Sequence, residues 1–383
     1  MGQEEEQIHK FPCRECQEEI VIKLDVDYKQ VSAVPSCVAN CEDAPEVSGA
    51  SIVNVDANFL IPVELQGVDR VIPRVVQVIQ RVHAQEELLG TDRFWKASAT
   101  SVYRRPAHAQ EWKSLKKSWS LARNGKDKLS TRKMDEASAI YYPAEPLESL
   151  QDWLWRFGLH LCNPGYEERF RDAVAVIMAV KPKPLLDDFS NEFSSLAASR
   201  GERYFSVFKE FFTGYSEFGQ VYFSVVSGTP FVPTETASSV DFDAVKMFYG
   251  NAFEHFASLV DYLALCNNVI LGRKYDTFSQ LTLEAYRKLD KPGRFANFSM
   301  NAPFSALCTE ADNSIRNASH HGSFILSKDQ IIRYKSGKGS MGPEQQMTYA
   351  SYLERCVKLF LQVVTLLRIE LIMTTGLSIK PPL

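Results

Sequence analysis

Nine aromatic side chains lie between Tyr204 and Phe223, and their spacing decides what this part of the chain can become. Tyr204, Phe205, Phe208, Phe211, Phe212, Tyr215, Phe218, Tyr222 and Phe223 recur at intervals that line most of them along one face of a helix. Core packing accounts for such a stripe more simply than a ligand-stacking box does, so the segment needs other helices to cover it. They are supplied nearby. Trp153, Leu154, Trp155, Leu159 and Leu161 precede the turn Asn163-Pro164-Gly165, and Phe170, Ala173, Val174, Ile177 and Val180 follow it. Lys181-Pro182-Lys183-Pro184 ends that second helix, because proline cannot continue one.

The same period returns beyond a linker at Gly228–Ser239, rich in Pro, Thr and Ser, where a domain boundary is expected. Asp241 to Asn268 reads as one long amphipathic helix through Val245, Phe248, Phe253, Phe256, Leu259, Val260 and Leu263. A shorter helix is expected over Ser279–Leu289, and another from near Pro303 through Leu307, Ala311 and Ile315. Phe324–Ser327 and Gln330–Tyr334 flank Lys328-Asp329 as a small β-hairpin. A last helix over about Pro343–Met373 is expected to cover a core and to offer surface to a partner subunit. The expected fold is mainly α.

At 383 residues the chain is long for one core, and its net charge of −4 argues against a global polyanion binder. The acidic start, Met1-Gly2-Gln3-Glu4-Glu5-Glu6, does not read as a secretory signal. No apolar run reaches the roughly 18–20 residues a membrane helix needs. A cytoplasmic protein without a membrane partner is expected, with its eight cysteines as thiols or metal ligands.

Four of those cysteines form close pairs, Cys13-x2-Cys16 and Cys37-x3-Cys41. Between them Ile20, Ile22, Leu24 and Val26 alternate as a strand, with Val31–Val34 as the return strand before Pro35. Two such pairs suit a tetrahedral, structural Zn2+; the alternative is four unrelated reduced thiols. Residues 1–50 resemble a zinc-ribbon module, although the second pair has three spacers and Gln17 stands where a ribbon knuckle often has glycine. Residues 51–74, with Pro62 and Pro73, read as an extended connector, and residues 75–227 as a helical domain that starts with Val75, Val76, Val78, Ile79 and Val82.

Within it, residues 102–133 carry ten Lys/Arg against Glu111 and Asp127. Arg104, Arg105, Lys113, Lys116, Lys117 and Arg123 are candidate nucleic-acid contacts, with Trp112 and Trp119 interleaved for base stacking. The bland alternative is a mobile surface loop whose tryptophans anchor it to the core.

The chemistry-bearing stretch is Ser314-Ile315-Arg316-Asn317-Ala318-Ser319-His320-His321-Gly322. Asn317 and His321 are four apart and share a helix face, with Arg316 about 100° aside, while His320 lines up with Arg316. Arg-Asn-x3-His on a late helix, before a glycine, a hairpin and a long terminal helix, resembles the HEPN domain family over about residues 240–375. That resemblance implies a helical bundle that dimerises through the motif-bearing helix, often a metal-independent RNase of defence or toxin–antitoxin systems. It carries Arg316 and His321 over as the catalytic pair, with Asn317 as the polar residue after the arginine and His320 as a secondary group. Ser323 replaces the tyrosine of one antitoxin-paired branch, so pairing with a nucleotidyltransferase is not implied. Two functions follow. One is an endoribonuclease that uses the RNA 2′-OH as nucleophile, needs no catalytic metal and acts as a toxin or defence effector with a regulatory partner. The other is a non-catalytic RNA- or protein-binding adaptor that dimerises through the same helix.

Overall fold

A helix apolar on one side needs one neighbour; a helix apolar all round must sit at the centre. Tyr349–Gly376 is of the second kind, 28 residues long, with every residue from Leu359 to Leu371 buried. The computed structural model describes residues 6–13, 15–27, 32–45, 61–62, 108–162, 164–180, 183–226, 235–237, 241–320, 324–327, 329–335 and 342–383. Among these the protein is mainly helical, with small antiparallel sheets near the N-terminus and before the central helix.

The N-terminal sheet comprises β1 (Glu6–Pro12), β2 (Glu19–Asp27) and β3 (Ser32–Ala39), in sequence order and antiparallel. Ile61–Pro62 (β4) pairs with Glu235–Thr236 (β5), so two residues of the expected linker form a bridge to the connector. The helices are α1 (His108–Arg123), α2 (Asp127–Tyr141), α3 (Leu150–Leu161), α4 (Pro164–Met178), α5 (Lys183–Ser195), α6 (Ala197–Thr213) and α7 (Tyr215–Val226). After β5 come α8 (Phe242–Leu259), α9 (Asp261–Ile270), α10 (Leu283–Arg287), α11 (Lys291–Ala296), α12 (Ala302–Ala306) and α13 (Asn313–His320). Then β6 (Ile325–Leu326), β7 (Ile331–Lys335) and β8 (Glu344–Thr348) lead into the central helix, α14 (Tyr349–Gly376).

Helices α3, α4, α6, α7 and α8 all pack on α14, so segments before and after the expected boundary at residues 228–239 share one core. The aromatic stripe is that core. Phe211 stacks on Phe360 of α14 at 3.7 Å and on Phe218 at 4.8 Å, both nearly parallel. The stripe is two helices and not one: Gly214 separates α6 from α7, and its amide caps α6 by donating to the Glu210 carbonyl. Glycine serves α14 directly at Gly158 of α3, where a Cβ would lie 3.0 Å from Arg368 Cγ; its absence lets the two backbones approach.

Several expected boundaries move. The long helix expected over Asp241–Asn268 breaks at Val260 into α8 and α9, and Ser279–Leu289 contracts to α10. The helix expected from Pro303 into the motif is two short ones, α12 and α13. The hairpin gains a third strand, because Glu344–Thr348 pairs with β7 in register, Ile331 opposite Thr348. The final helix therefore starts at Tyr349 and not near Pro343, with the Thr348 hydroxyl accepting from the Ser351 amide at 3.1 Å as its cap. Along Leu359–Leu371 it leaves no face uncovered for a partner.

Two charges lie inside α14. Arg368 is fully buried, bonds Glu167 Oε2 at 2.6 Å and stacks over Phe170 and Trp155. Glu370 accepts from Arg200 Nε at 2.8 Å and from the Tyr204 hydroxyl at 2.6 Å. Burial pushes its carboxyl up, against the pull of Arg200 and Tyr204. Replacing Arg200 by Met leaves that carboxylate without its counter-charge, and we expect a loss of about 3–5 kcal/mol in urea unfolding. The double replacement Arg200→Met/Glu370→Leu is expected to recover about half of it or more, since a buried ion pair exceeds an apolar pair little or not at all.

Candidate functional site

Helix α13 is only eight residues long, below what holds a helix in isolation, so its neighbours must fix it. Its first turn is capped by Asp312, whose Oδ1 accepts from the amides of Ser314 (2.8 Å) and Ile315 (3.3 Å). The other carboxylate oxygen of Asp312 takes Arg355 of α14 at 3.0 Å, and Arg355 also grips Glu310. Ile315, Ala318 and Ser319 face the core, and the Ser319 hydroxyl lies 3.3 Å from that of Tyr352. The opposite pair, Arg316 and His320, turns to α8.

At that contact the side chains are small or charged for a reason. His320 lies over Gly250: a Cβ there would stand 2.7 Å from Nε2, 2.9 Å from Cδ2 and 3.0 Å from Cε1. Its Nε2 is buried without a hydrogen-bond partner among the described residues. One turn along, Arg316 Nη2 is ion-paired with Glu254, and Nη1 donates to Asn317 Oδ1 at 2.7 Å. Lys291 of α11 adds a second cation, 3.4 Å from Glu254 Oε2, and donates to the Ser258 hydroxyl at 3.3 Å. Burial would raise the Glu254 carboxyl, but Arg316 and then Lys291 outweigh it and hold it below the ordinary carboxylate range. The Arg316 side chain as a whole remains about a quarter exposed (26%), while its Nε is buried.

The structure thus brings together Arg316, Asn317 and His320, while His321 and Gly322 lie outside the described residues. Glu254, Lys291 and Gly250 belong to the site and were not singled out from the sequence. The one signal for two of them is their four-residue spacing on α8, Gly250 to Glu254.

The basic tract resolves into the α1–α2 helical hairpin. Trp112 and Trp119 are buried, 3% and 0% exposed, among Phe205, Phe208 and Phe212, so neither can stack on a base. Lys113 and Lys117 are exposed, and Lys116 is half-buried. Arg123 is engaged, ion-paired with Glu202 and lying 4.3 Å over the Phe205 ring. Arg104, Arg105 and the helical pattern from Val75 lie outside the described residues.

Cys13 and Cys16 lie in the turn between β1 and β2, Cys37 lies in β3, and Cys41 lies two residues beyond its end. The amide of Cys13 donates to the Glu18 carbonyl at 2.8 Å, and the thiol of Cys41 to the Val21 carbonyl at 3.4 Å. Hydrogen bonds from the backbone N–H groups of Cys16 and then Glu15 lower the Cys13 thiol, the turn geometry that favours a thiolate. Gln17, at the position where a knuckle often has glycine, takes the left-handed conformation (φ 63°), as does Asn40 (φ 55°) before Cys41. Cys37 is raised, chiefly by its hydrogen bond with the Cys41 thiol. Within each pair the thiols are close; among the described residues no three His, Cys, Asp or Glu form a ligand group. Nor is any described helix long and apolar enough to cross a membrane. Comparison with protein-family models, curated proteins and solved structures finds no match for this chain.

Two consequences of the α8–α13 contact are measurable. Glu254 contributes stability that is present above the unfolded carboxylate value of about 4.3 and is lost as pH falls through its lower folded value. Wild type should therefore melt above Glu254→Gln at neutral pH, with the gap closing towards acid. Gly250→Ala is expected to displace the imidazole of His320, seen as a shifted His320 ring resonance in NMR spectra. Its gain in helix propensity, about 1 kcal/mol, should be cancelled by that displacement.

Proposed function

We propose that the chain is a metal-independent endoribonuclease whose Arg316, Asn317 and His321 act on a phosphodiester, with RNA as substrate. The observation that supports this reading is the arginine's posture. Arg316 is half-buried, turned by Asn317 and Glu254, and one helical turn from an imidazole. A guanidinium fixed in advance can hold the non-bridging oxygens of a phosphodiester as charge develops on them. The 2′-OH attacks the adjacent phosphorus in line, a histidine accepts its proton, and the leaving 5′-oxygen is protonated in turn. The products are a 2′,3′-cyclic phosphate and a 5′-hydroxyl. One chain supplies a single Arg–His set, so a homodimer about α13 would give the second proton-transfer group. Such an enzyme suits a toxin or defence effector kept silent by a partner.

Lys113, Lys116 and Lys117 on the outer face of α1 would bind RNA by charge alone, since their neighbouring tryptophans are in the core. Cys13, Cys16, Cys37 and Cys41 would hold a structural Zn2+ that ties the turns of the N-terminal sheet; four thiolates close its coordination shell and leave catalysis to the C-terminal site.

The Arg316–Glu254 pair also favours a second reading, in which arginine and histidine only dock α13 on α8 and the protein is a non-catalytic adaptor. Incubation of wild type, Arg316→Ala and His321→Ala with total RNA in EDTA separates the two. The enzyme predicts cleavage with cyclic-phosphate ends by wild type and a loss of about 10²-fold or more in each variant. Folded, dimeric wild type that cuts no RNA class and is not toxic on expression would refute it. For the metal, Cys13→Ser should lose stoichiometric zinc by atomic absorption and leave any cleavage chemistry intact.

A further inference from the structure

Where α8 gives way to α9 lies a cleft of about 360 Å³ with a different chemistry. Arg200, Arg203, Arg287 and Arg294 line it, against one lining carboxylate, Asp261. That carboxylate is already taken, by Arg294 Nη1 at 3.0 and 3.1 Å and by the Tyr286 hydroxyl at 3.2 Å. Leu196, Leu259, Leu265 and Leu283 add an apolar wall, with the rings of Phe193 and Tyr262.

The arginines are not all satisfied. Arg200 is 3% exposed; its Nε reaches Glu370, its Nη1 the Phe193 carbonyl, and its Nη2 is buried without an acceptor. Arg294 gives Nη2 to the Arg287 carbonyl at 2.8 Å, and its Nε is likewise buried without an acceptor. Arg203 has no ion pair among the described residues, whereas Arg287 is bound to Glu192 at 2.7 Å. Buried guanidinium donors without partners are rare, and where they occur a water or an ion commonly completes them. Two arginines with a buried unmet donor each, and a third without an ion pair, ask at one cleft for more acceptors than the two oxygens of a carboxylate provide. The terminal oxygens of a phosphate, met by planar guanidinium forks, answer that need.

We propose that this cleft binds a small phosphorylated organic molecule, its phosphate against Arg200, Arg203 and Arg294 and its body against the leucines. The volume is near the lower end of small-molecule sites, roughly 300–1,000 Å³, and suits one ring system with one phosphate, the size of a nucleoside monophosphate or a sugar phosphate. The proposal is independent of RNA cleavage, because it concerns other residues and is read by binding.

Titration calorimetry on the full chain tests it with adenosine and uridine monophosphates, glucose 6-phosphate, their unphosphorylated counterparts and inorganic phosphate. A phosphorylated organic probe should saturate one site per chain below about 1 mM, with its unphosphorylated counterpart at least about tenfold weaker. Arg203→Ala, at a partly exposed position with no ion pair to lose, should keep the melting temperature and weaken binding about tenfold, with Arg203→Lys between the two. Arg287→Ala serves as a second variant at the rim and should weaken binding less. Absence of saturation by every phosphorylated probe overturns the proposal, as does equal binding by wild type and Arg203→Ala. Inorganic phosphate binding as tightly as every organic probe overturns the ligand class, since the apolar wall would then contribute nothing.

Discussion

Glu370 can lie inside this protein because Arg200 and Tyr204 reach it from α6, and Arg368 because Glu167 and two aromatic rings surround it. An ionised group carried into a core without such partners costs several kcal/mol, more than one favourable contact returns. These pairs therefore orient α14 as well as stabilise it. A rotation of the helix that buried the same leucines and valines equally well would strand both charges. Apolar packing makes the central helix stable, and the charges make its register unique. Helices α3, α4, α6 and α8 take their places from that register, and α13 takes its place from α8 and α14 together.

The sequence disclosed the parts of this arrangement that depend on spacing. The stripe from Tyr204 to Tyr222 is core, as its period implied, and the final segment is helical with a buried core face. Breaks within periodic segments were hidden, since Gly214 and Val260 interrupt helices without disturbing the apolar period on either side. Strand β8 was hidden for another reason. Glu-Gln-Gln-Met-Thr has no alternation of apolar residues, and only pairing with β7 makes it a strand. The tryptophans of α1 show the limit of local charge as a guide: lysines around Trp112 and Trp119 said nothing about which way the rings pointed.

At the candidate site the helix arithmetic that put Arg316 and His320 on one face agrees with the structure, since both meet α8. Their partners, Gly250 and Glu254, stand more than sixty residues earlier and share no motif with them. Such pairings come from tertiary packing, and one sequence carries no trace of them. The same holds for the arginine cleft, which six separate helices assemble. Helix α8 is the wall common to both. Gly250, Glu254 and Ser258 succeed one another at one-turn intervals beneath His320, Arg316 and Lys291, and Ser258 also lines the cleft.

The order of the elements along the chain has a consequence for synthesis. Every helix that packs on α14 precedes it, and contacts such as Arg200–Glu370 or Glu167–Arg368 join residues 170 and 201 positions apart. At about 5–20 residues per second a ribosome needs on the order of ten seconds or more to pass from Glu167 to Arg368, and throughout that time the aromatic face of α6 and α7 has no α14 to cover it. Until α14 emerges that face has only earlier helices to pack against, among them α1 with Trp112 and Trp119. The same delay keeps Arg316 and its neighbours from their final places until then, so whatever chemistry they perform begins only after α14 has been made.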